Sequence, residues 1–187
     1  KVLKNGVQIL NAVTVSGFED KGTSVNIKTS QFEFDSKKLL LATNGFAKEL
    51  LQEDVQPARA QVLVTRPIEN LKIKGTFHFD EGYYYFRNID NRILLGGGRN
   101  LDFKAEATAE FGETALVQDE LNRLLREVIL PDTSFEIDRS WSGIMGMGNK
   151  KRPIIKQLSN NVYCGVRLGG MGIAIGSAAG NELAELV

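Results

Sequence analysis

Three stretches of the chain combine residue types that can bind or transform a ligand. Arg167-Leu-Gly-Gly-Met-Gly-Ile173 places three glycines between a strand-like run and a helix-like run. Glycine lets backbone approach a ligand closely, and a helix start offers unpaired N–H groups at the positive end of the dipole. An anion, or the electron-rich edge of a heterocycle, suits that place; a tight strand-to-helix turn with close packing fits the pattern equally well. Tyr83-Tyr-Tyr-Phe-Arg87 alternates as a strand would, with Tyr83, Tyr85 and Arg87 on one face and Tyr84 and Phe86 on the other. Two phenols and a guanidinium suit an anionic, partly apolar substrate, since Arg grips a carboxylate through two bonds. The same pattern also describes a sheet surface with a solvated Arg. Trp141-Ser-Gly-Ile-Met-Gly-Met-Gly148 reads as a pocket wall with adaptable methionines, or as a core Trp leading into a loop.

Other reactive side chains are scarce. The 187 residues hold one Cys and one His, which excludes a disulfide framework and a Cys-based metal cluster. A His-ligated metal or a Ser-His-Asp triad would have to use His78, which sits between Phe77 and Phe79 and reads as a core or edge histidine. No metal site is expected. Cys164 lies in an apolar run and reads as packing. Lys plus Arg and Asp plus Glu both number 23, so no surplus of cations exists to grip nucleic acid. The hydrophobic content of 42% supports a core, and no run of 18 apolar residues predicts a membrane span. A reducing, cytoplasmic setting is the simplest expectation. The chain starts without Met and stops inside a helix-like run, which suggests a piece of a longer protein.

The positioning elements follow from periodicity. Val7 to Val15 reads as a strand, Ser24 to Thr29 and Gln31 to Asp35 as a hairpin. The apolar run Leu39-Leu-Leu-Ala42 suits a strand buried on both faces of a parallel sheet, broken by Asn44-Gly45 before a short helix from Phe46. Gln61 to Thr65, Gly75 to Phe79, Gly82 to Ile89, Arg92 to Gly96 and Phe135 to Ser142 are further strands. Asp80-Glu-Gly82 and Asp90-Asn91 are turns. Glu113 to Leu130 is the clearest helix, with Val117, Leu121, Leu124 and Val128 in one stripe, widened by Leu125 and Ile129. Asp119 and Arg123 are spaced for an i,i+4 pair. The basic run Lys150-Lys-Arg152 reads as a solvated turn. Val162 to Val166 is a strand, and a helix fills Gly170 to Val187. The fold class is α+β: a large mixed, mostly antiparallel sheet with helices, plus pieces of a parallel layer at both ends.

Taken in order, these segments resemble the second half of FAD-dependent oxidoreductases of the D-amino-acid oxidase and glycine oxidase superfamily. Leu39-Leu-Leu-Ala-Thr-Asn-Gly45 resembles that family's Ala-Thr-Gly turn, with Asn44 where Gly is common. Val55 to Val62 resembles its Pro-x-Arg-Gly-Gln segment. Tyr83 to Arg87 with Asp90 to Gly97, Trp141-Ser-Gly143, Arg152-Pro-Ile154, and Asn161 onward through Gly169-Gly-Met-Gly172 resemble successive later motifs. The resemblance implies a remnant of a doubly wound FAD-binding domain at 1–56, a substrate-binding domain at 57–147, and a return to the FAD domain at 148–187. The N-terminal part of the same chain, with the pyrophosphate-binding turn, would be missing. By resemblance, Val13 would lie near the adenine, and Ala42, Thr43 and Gly45 near the ribityl or phosphate region. Gly169, Gly170, Met171, Gly172 and Ile173 would face the flavin pyrimidine edge. Tyr83, Tyr85 and Arg87 would line the substrate face, with Arg167 as a second partner for a substrate carboxylate. The implied reaction is dehydrogenation of a small amine or amino acid by hydride transfer to FAD. The fragment alone is expected to be inactive. A 2-hydroxy-acid dehydrogenase on the same scaffold and a non-redox ligand-binding module are the alternatives. Where the family often carries Arg after Trp-x-Gly, this chain has Ile144-Met145, which leaves a secondary amine or polyamine-like substrate open.

Overall fold

Alternating apolar residues build two cores, and the paired long strands that end at Thr65 and Met147 run between them. The computed structural model describes residues 2–187. In chain order, β1 (Val15–Asp20), β2 (Val25–Thr29) and β3 (Glu33–Ser36) form an antiparallel three-stranded sheet. Next come β4 (Leu39–Leu41), a 3-10 turn at Asn44–Glu49, and the long strand β5 (Gln56–Thr65). After β6 (Thr76–Phe79), β7 (Tyr84–Ile89) and β8 (Arg92–Gly97) come α1 (Ala115–Leu124) and β9 (Ile137–Met147). The chain finishes with β10 (Ile154–Gln157), β11 (Val162–Val166) and α2 (Gly172–Glu185).

The main sheet runs β6-β7-β8-β5-β9 and is antiparallel throughout. One face carries Leu63, Ile93, Leu95 and Tyr84, packed on Val117, Leu121, Leu124 and Leu125 of the α1 region. A smaller sheet runs β10-β11-β4, with β4 parallel to β11. Its core joins Val162, Cys164 and Val166 to Val25, Ile27, Ala47, Leu51 and Val55. The mixed α+β architecture agrees with the sequence. Burial pushes the Cys164 thiol up, as expected of a packing residue.

Several local expectations are corrected. Val7 to Thr14 forms no strand; its apolar side chains other than half-buried Val13 are exposed and Ala12 takes a left-handed φ of 57°. Only Leu41 of the Leu39–Leu41 run is buried, because β4 pairs on one side only and Leu40 is exposed. The helix predicted over 113–130 starts at Ala115 and becomes a π-helical turn at Leu125–Ile129. The wider turn rotates the register, so Ile129 and Leu130 are buried while Val128 is 59% exposed. Arg123 pairs with Glu120 and Glu127, each at 2.8 Å, rather than with Asp119. Strand β9 continues through Met147, so the segment after Trp141 is no loop. No helix among the described residues is long and apolar enough to cross a membrane.

Candidate functional site

Three segments far apart in sequence meet where β9 ends. Asn44 adopts a left-handed φ of 47°, and its Oδ1 accepts a hydrogen bond from the Leu168 N–H at 3.0 Å. Gly169 N–H donates to the Gly146 carbonyl at 3.0 Å. A Cβ on Gly146 would come within 2.6 Å of Asn44 Oδ1, so the close approach requires glycine there. The loop into α2 is thus tied to both the Ala42–Gly45 turn and β9.

That loop is bent by left-handed residues: Arg167 at φ 62°, Gly169 at 59° and Gly170 at 80°. A non-glycine residue pays about 1–2 kcal/mol for this conformation. Arg167 is held in it by its own side chain. The guanidinium is 6% exposed and donates to Asp54 Oδ2 at 2.7 Å, to the Asp54 carbonyl at 3.0 Å and to the Arg152 carbonyl at 3.0 Å. The amides of Gly170, Gly172 and Ile173 have no acceptor among the described residues. Ile173 is fully exposed and Met171 is exposed beside it. The opening of α2 therefore presents free donors and a positive dipole end among glycines, flanked by the exposed Met171 and Ile173 side chains.

The second half of the site is the other face of the five-stranded sheet. Register pairs His78 with Tyr85, Tyr85 with Gly96, Gly96 with Val62, and Val62 with Trp141. Residues directly opposite on neighbouring strands share a face, so this is one row across all five strands. A Cβ on Gly96 would meet the Tyr85 Cζ and Oη at 2.6 Å, so the phenol lies across Gly96 toward Val62. Burial pushes the Tyr85 phenol up, which keeps it a neutral hydrogen-bond donor at ordinary pH. The next row on the same face is Thr76, Arg87, Leu94, Val64 and Arg139. Arg139 stacks over the Trp141 ring, 5.7 Å from its centroid.

Strand β9 joins the two halves. By alternation Trp141, Gly143 and Met145 share the tyrosine face, and a Cβ on Gly170 would stand 3.3 Å from Met145 Sδ. Tyr83 leaves that face. It precedes β7, packs edge-on against Phe103 at 5.8 Å and joins the helix-side core. Arg87 is exposed on the tyrosine face. Val13 lies elsewhere, half-buried beside a turn where Thr14 and Ala12 bond Ser30 and Gln31. Ala42 and Thr43 are exposed next to the junction and Gly45 is buried in it. Asn44, Gly96 and Asp54 were not singled out from sequence as site residues. Asn-Gly is itself a left-handed turn signal, and a glycine inside a strand marks a close approach. Asp54 carries no such mark.

The family described as FAD dependent oxidoreductase (DAO) matches residues 1–186. The chain belongs to this family. It is 22% identical over 197 residues to a probable oxidoreductase, OrdL, of Haemophilus influenzae, covering 97% of this chain and 43% of the relative. It is 28% identical over 165 residues to the sarcosine oxidase subunit beta of Rhizobium meliloti, covering 84% of this chain and 39% of the relative. The fold matches glycine oxidase from Geobacillus kaustophilus with a TM-score of 0.80 at 18% identity, over 97% of this chain and 49% of that one. The chain thus spans about half the length of these relatives. FAD is the cofactor of the DAO family. The bare amides at Gly170, Gly172 and Ile173 and the glycine turn beside them fit the polar edge of such a ring.

Proposed function

We propose that this chain is the C-terminal part of a flavoenzyme that dehydrogenates a small amine or amino acid by hydride transfer. The observation that carries the reading is the junction of the open amides at the start of α2 with the tyrosine-bearing sheet face through Met145. When bound, FAD supplies the two-electron acceptor that no protein side chain provides. On this reading the amides of Gly170, Gly172 and Ile173 and the α2 dipole hold the ring's polar edge and favour negative charge on it. Tyr85 donates to the substrate from the sheet face, and Arg87 adds positive charge to that face. Catalysis is then positioning and electrostatics, without a His or Cys base. Arg167 takes a different part from the one expected of it. Committed to Asp54, it shapes the loop instead of binding substrate. Residues 57–147 form the substrate side, and 1–56 with 148–187 the cofactor side.

The names of the relatives, sarcosine oxidase and glycine oxidase, favour amines over hydroxy acids as substrates. The test is the absorbance spectrum of the parent protein. A flavin band that bleaches anaerobically with N-methyl amino acids is expected. A colourless parent protein, or a flavin that no amine reduces, overturns the reading.

A further inference from the structure

The row of Arg87 and Arg139 lies beyond Tyr85 as seen from the loop, and of its residues the proposed reaction uses only the charge of Arg87, leaving Arg139 without a part. Its charge is one-sided. The ten residues of the two rows include two Arg, one His and one Tyr, and no Asp or Glu. Arg92, on the same face, is neutralised by Asp138 at 2.6 Å. Arg87 and Arg139 form no ion pair among the described residues. The exposed Arg139 head also lies over the Trp141 ring, a contact that narrows its freedom. An ordered guanidinium loses less freedom on meeting an anion than a free one. A cavity of about 330 Å³ opens beside it, bounded by Arg139, Ser140 and Trp141. Within the two rows Val62 and Val64 are buried, so the middle of the face is apolar and poorly screening.

The spacing along β9 sets what can reach this row. A strand rises about 3.3 Å per residue, so the Arg139 backbone lies roughly 20 Å from Met145 at the loop end, and its side chain can reach back over Trp141. We infer that Arg139, seated on Trp141 with Arg87 across the same row, binds a second anionic group of the substrate, far from the reacting carbon. The preferred substrate is then an acidic amine, with a carboxylate several bonds from the nitrogen. Its methylenes lie along Val62 and Trp141, and its far carboxylate meets Arg139. This inference rests on the oxidoreductase reading of the same face.

Two measurements on the flavin-loaded parent protein test it. Calorimetric titration compares glutarate with its monoamide, glutaramate, which removes one charge at nearly constant shape. A hydrogen-bonded ion pair predicts about tenfold tighter binding of glutarate, and Arg139→Gln should bring the two ligands within about twofold. Steady-state kinetics then compare N-methylglutamate with N-methylglutamine. About tenfold higher kcat/KM for the acid is expected, with the ratio collapsing toward one in Arg139→Gln. Equal kcat/KM for both amines, or a preference that survives both Arg139→Gln and Arg87→Gln, overturns the inference while leaving amine oxidation intact. If no amine reduces the flavin, the oxidoreductase reading falls instead, and the glutarate titration still decides whether the anion site exists.

Discussion

Asp54 grips Arg167 twice, through its carboxylate at 2.7 Å and its own backbone carbonyl at 3.0 Å, and so fixes the first residue of the loop that opens α2. The same carboxylate accepts the Asn149 amide at 2.9 Å, so one side chain ties together the turn after β9 and the loop after β11. Asp54→Ala leaves a nine-tenths-buried guanidinium with no carboxylate, which should cost about 3 kcal/mol. Asp54→Asn keeps a side-chain acceptor and should lose less. Urea unfolding measures the stability, and flavin titration of the parent protein measures the loop. Cofactor affinity should fall in step with stability across the two variants. An unchanged flavin affinity in Asp54→Ala would show that the pair does not shape the loop.

The fit of Asn44 to Gly146 predicts a specific pattern of non-additivity. Gly146→Ala drives a methyl group into Asn44 Oδ1 and should cost about 1–3 kcal/mol. Asn44→Gly suits the left-handed φ, so its loss is limited to one hydrogen bond, about 1 kcal/mol. Asn44→Ala should cost more than Asn44→Gly, because alanine resists φ of 47°. In the double variant the nearest clash partner, Oδ1, is gone while the backbone carbon at 3.1 Å remains, so Gly146→Ala should cost less on an Asn44→Gly background than alone, though not nothing. Denaturation midpoints of the four proteins test this ordering.

How far these features can be read from sequence depends on how local their causes are. The Val117, Leu121, Leu124 stripe, the turns at Asp80 and Asp90, and the glycine-rich opening of α2 are set within a few residues, and all are visible in the chain. Val128 defeats the periodicity because one π-helical turn shifts the register, and nothing in its spacing announces that turn. Arg167 looks available beside a glycine loop, but its partner Asp54 is 113 residues away. Tyr83 alternates correctly with Tyr85, yet pairing begins at Tyr84, and Phe103 draws the Tyr83 ring to the other side. Asn44 reads from sequence only as part of a turn, and the fold supplies its further part: its side chain accepts from the Leu168 amide.

A buried network under β5 sets a pH dependence. Burial alone would raise the Glu106 carboxyl, but bonds from Arg59, Gln61 and Thr114 outweigh it and hold the group below the ordinary carboxylate range. Arg59 makes two of those bonds, at 2.8 and 3.0 Å. A carboxylate depressed in the folded state stabilises the fold above its unfolded pKa of about 4.3, and that contribution is lost as pH falls through the folded value. Stability should therefore decline below about pH 4.3 and be level in this respect at neutral pH. Glu106→Gln should remove that part of the decline and cost about 3 kcal/mol at pH 7, since Arg59 is left nearly buried and unpaired. Urea unfolding from pH 3 to 7 separates the two effects. A decline equally steep in Glu106→Gln would assign the acid sensitivity to other carboxylates.

Tyr85 and Gly96 should behave as one unit in substrate binding. The phenol can lie across β8 only because Gly96 has no side chain, and its hydroxyl then points along the face toward Val62 and Trp141. Tyr85→Phe keeps the ring and removes the donor. If that hydroxyl holds substrate equally in the ground and transition states, KM rises while kcat changes little. The loss of one hydrogen bond to a charged group corresponds to about tenfold or more in kcat/KM. Gly96→Ala instead crowds both Val62 and the Tyr85 ring, costing about 1–3 kcal/mol in stability and displacing the hydroxyl together with the ring. On a Tyr85→Phe background Gly96→Ala should add little further loss in kcat/KM, because the displaced donor is already absent. A full, additive loss in the double variant would mean that Gly96 acts on the substrate by some route other than the phenol.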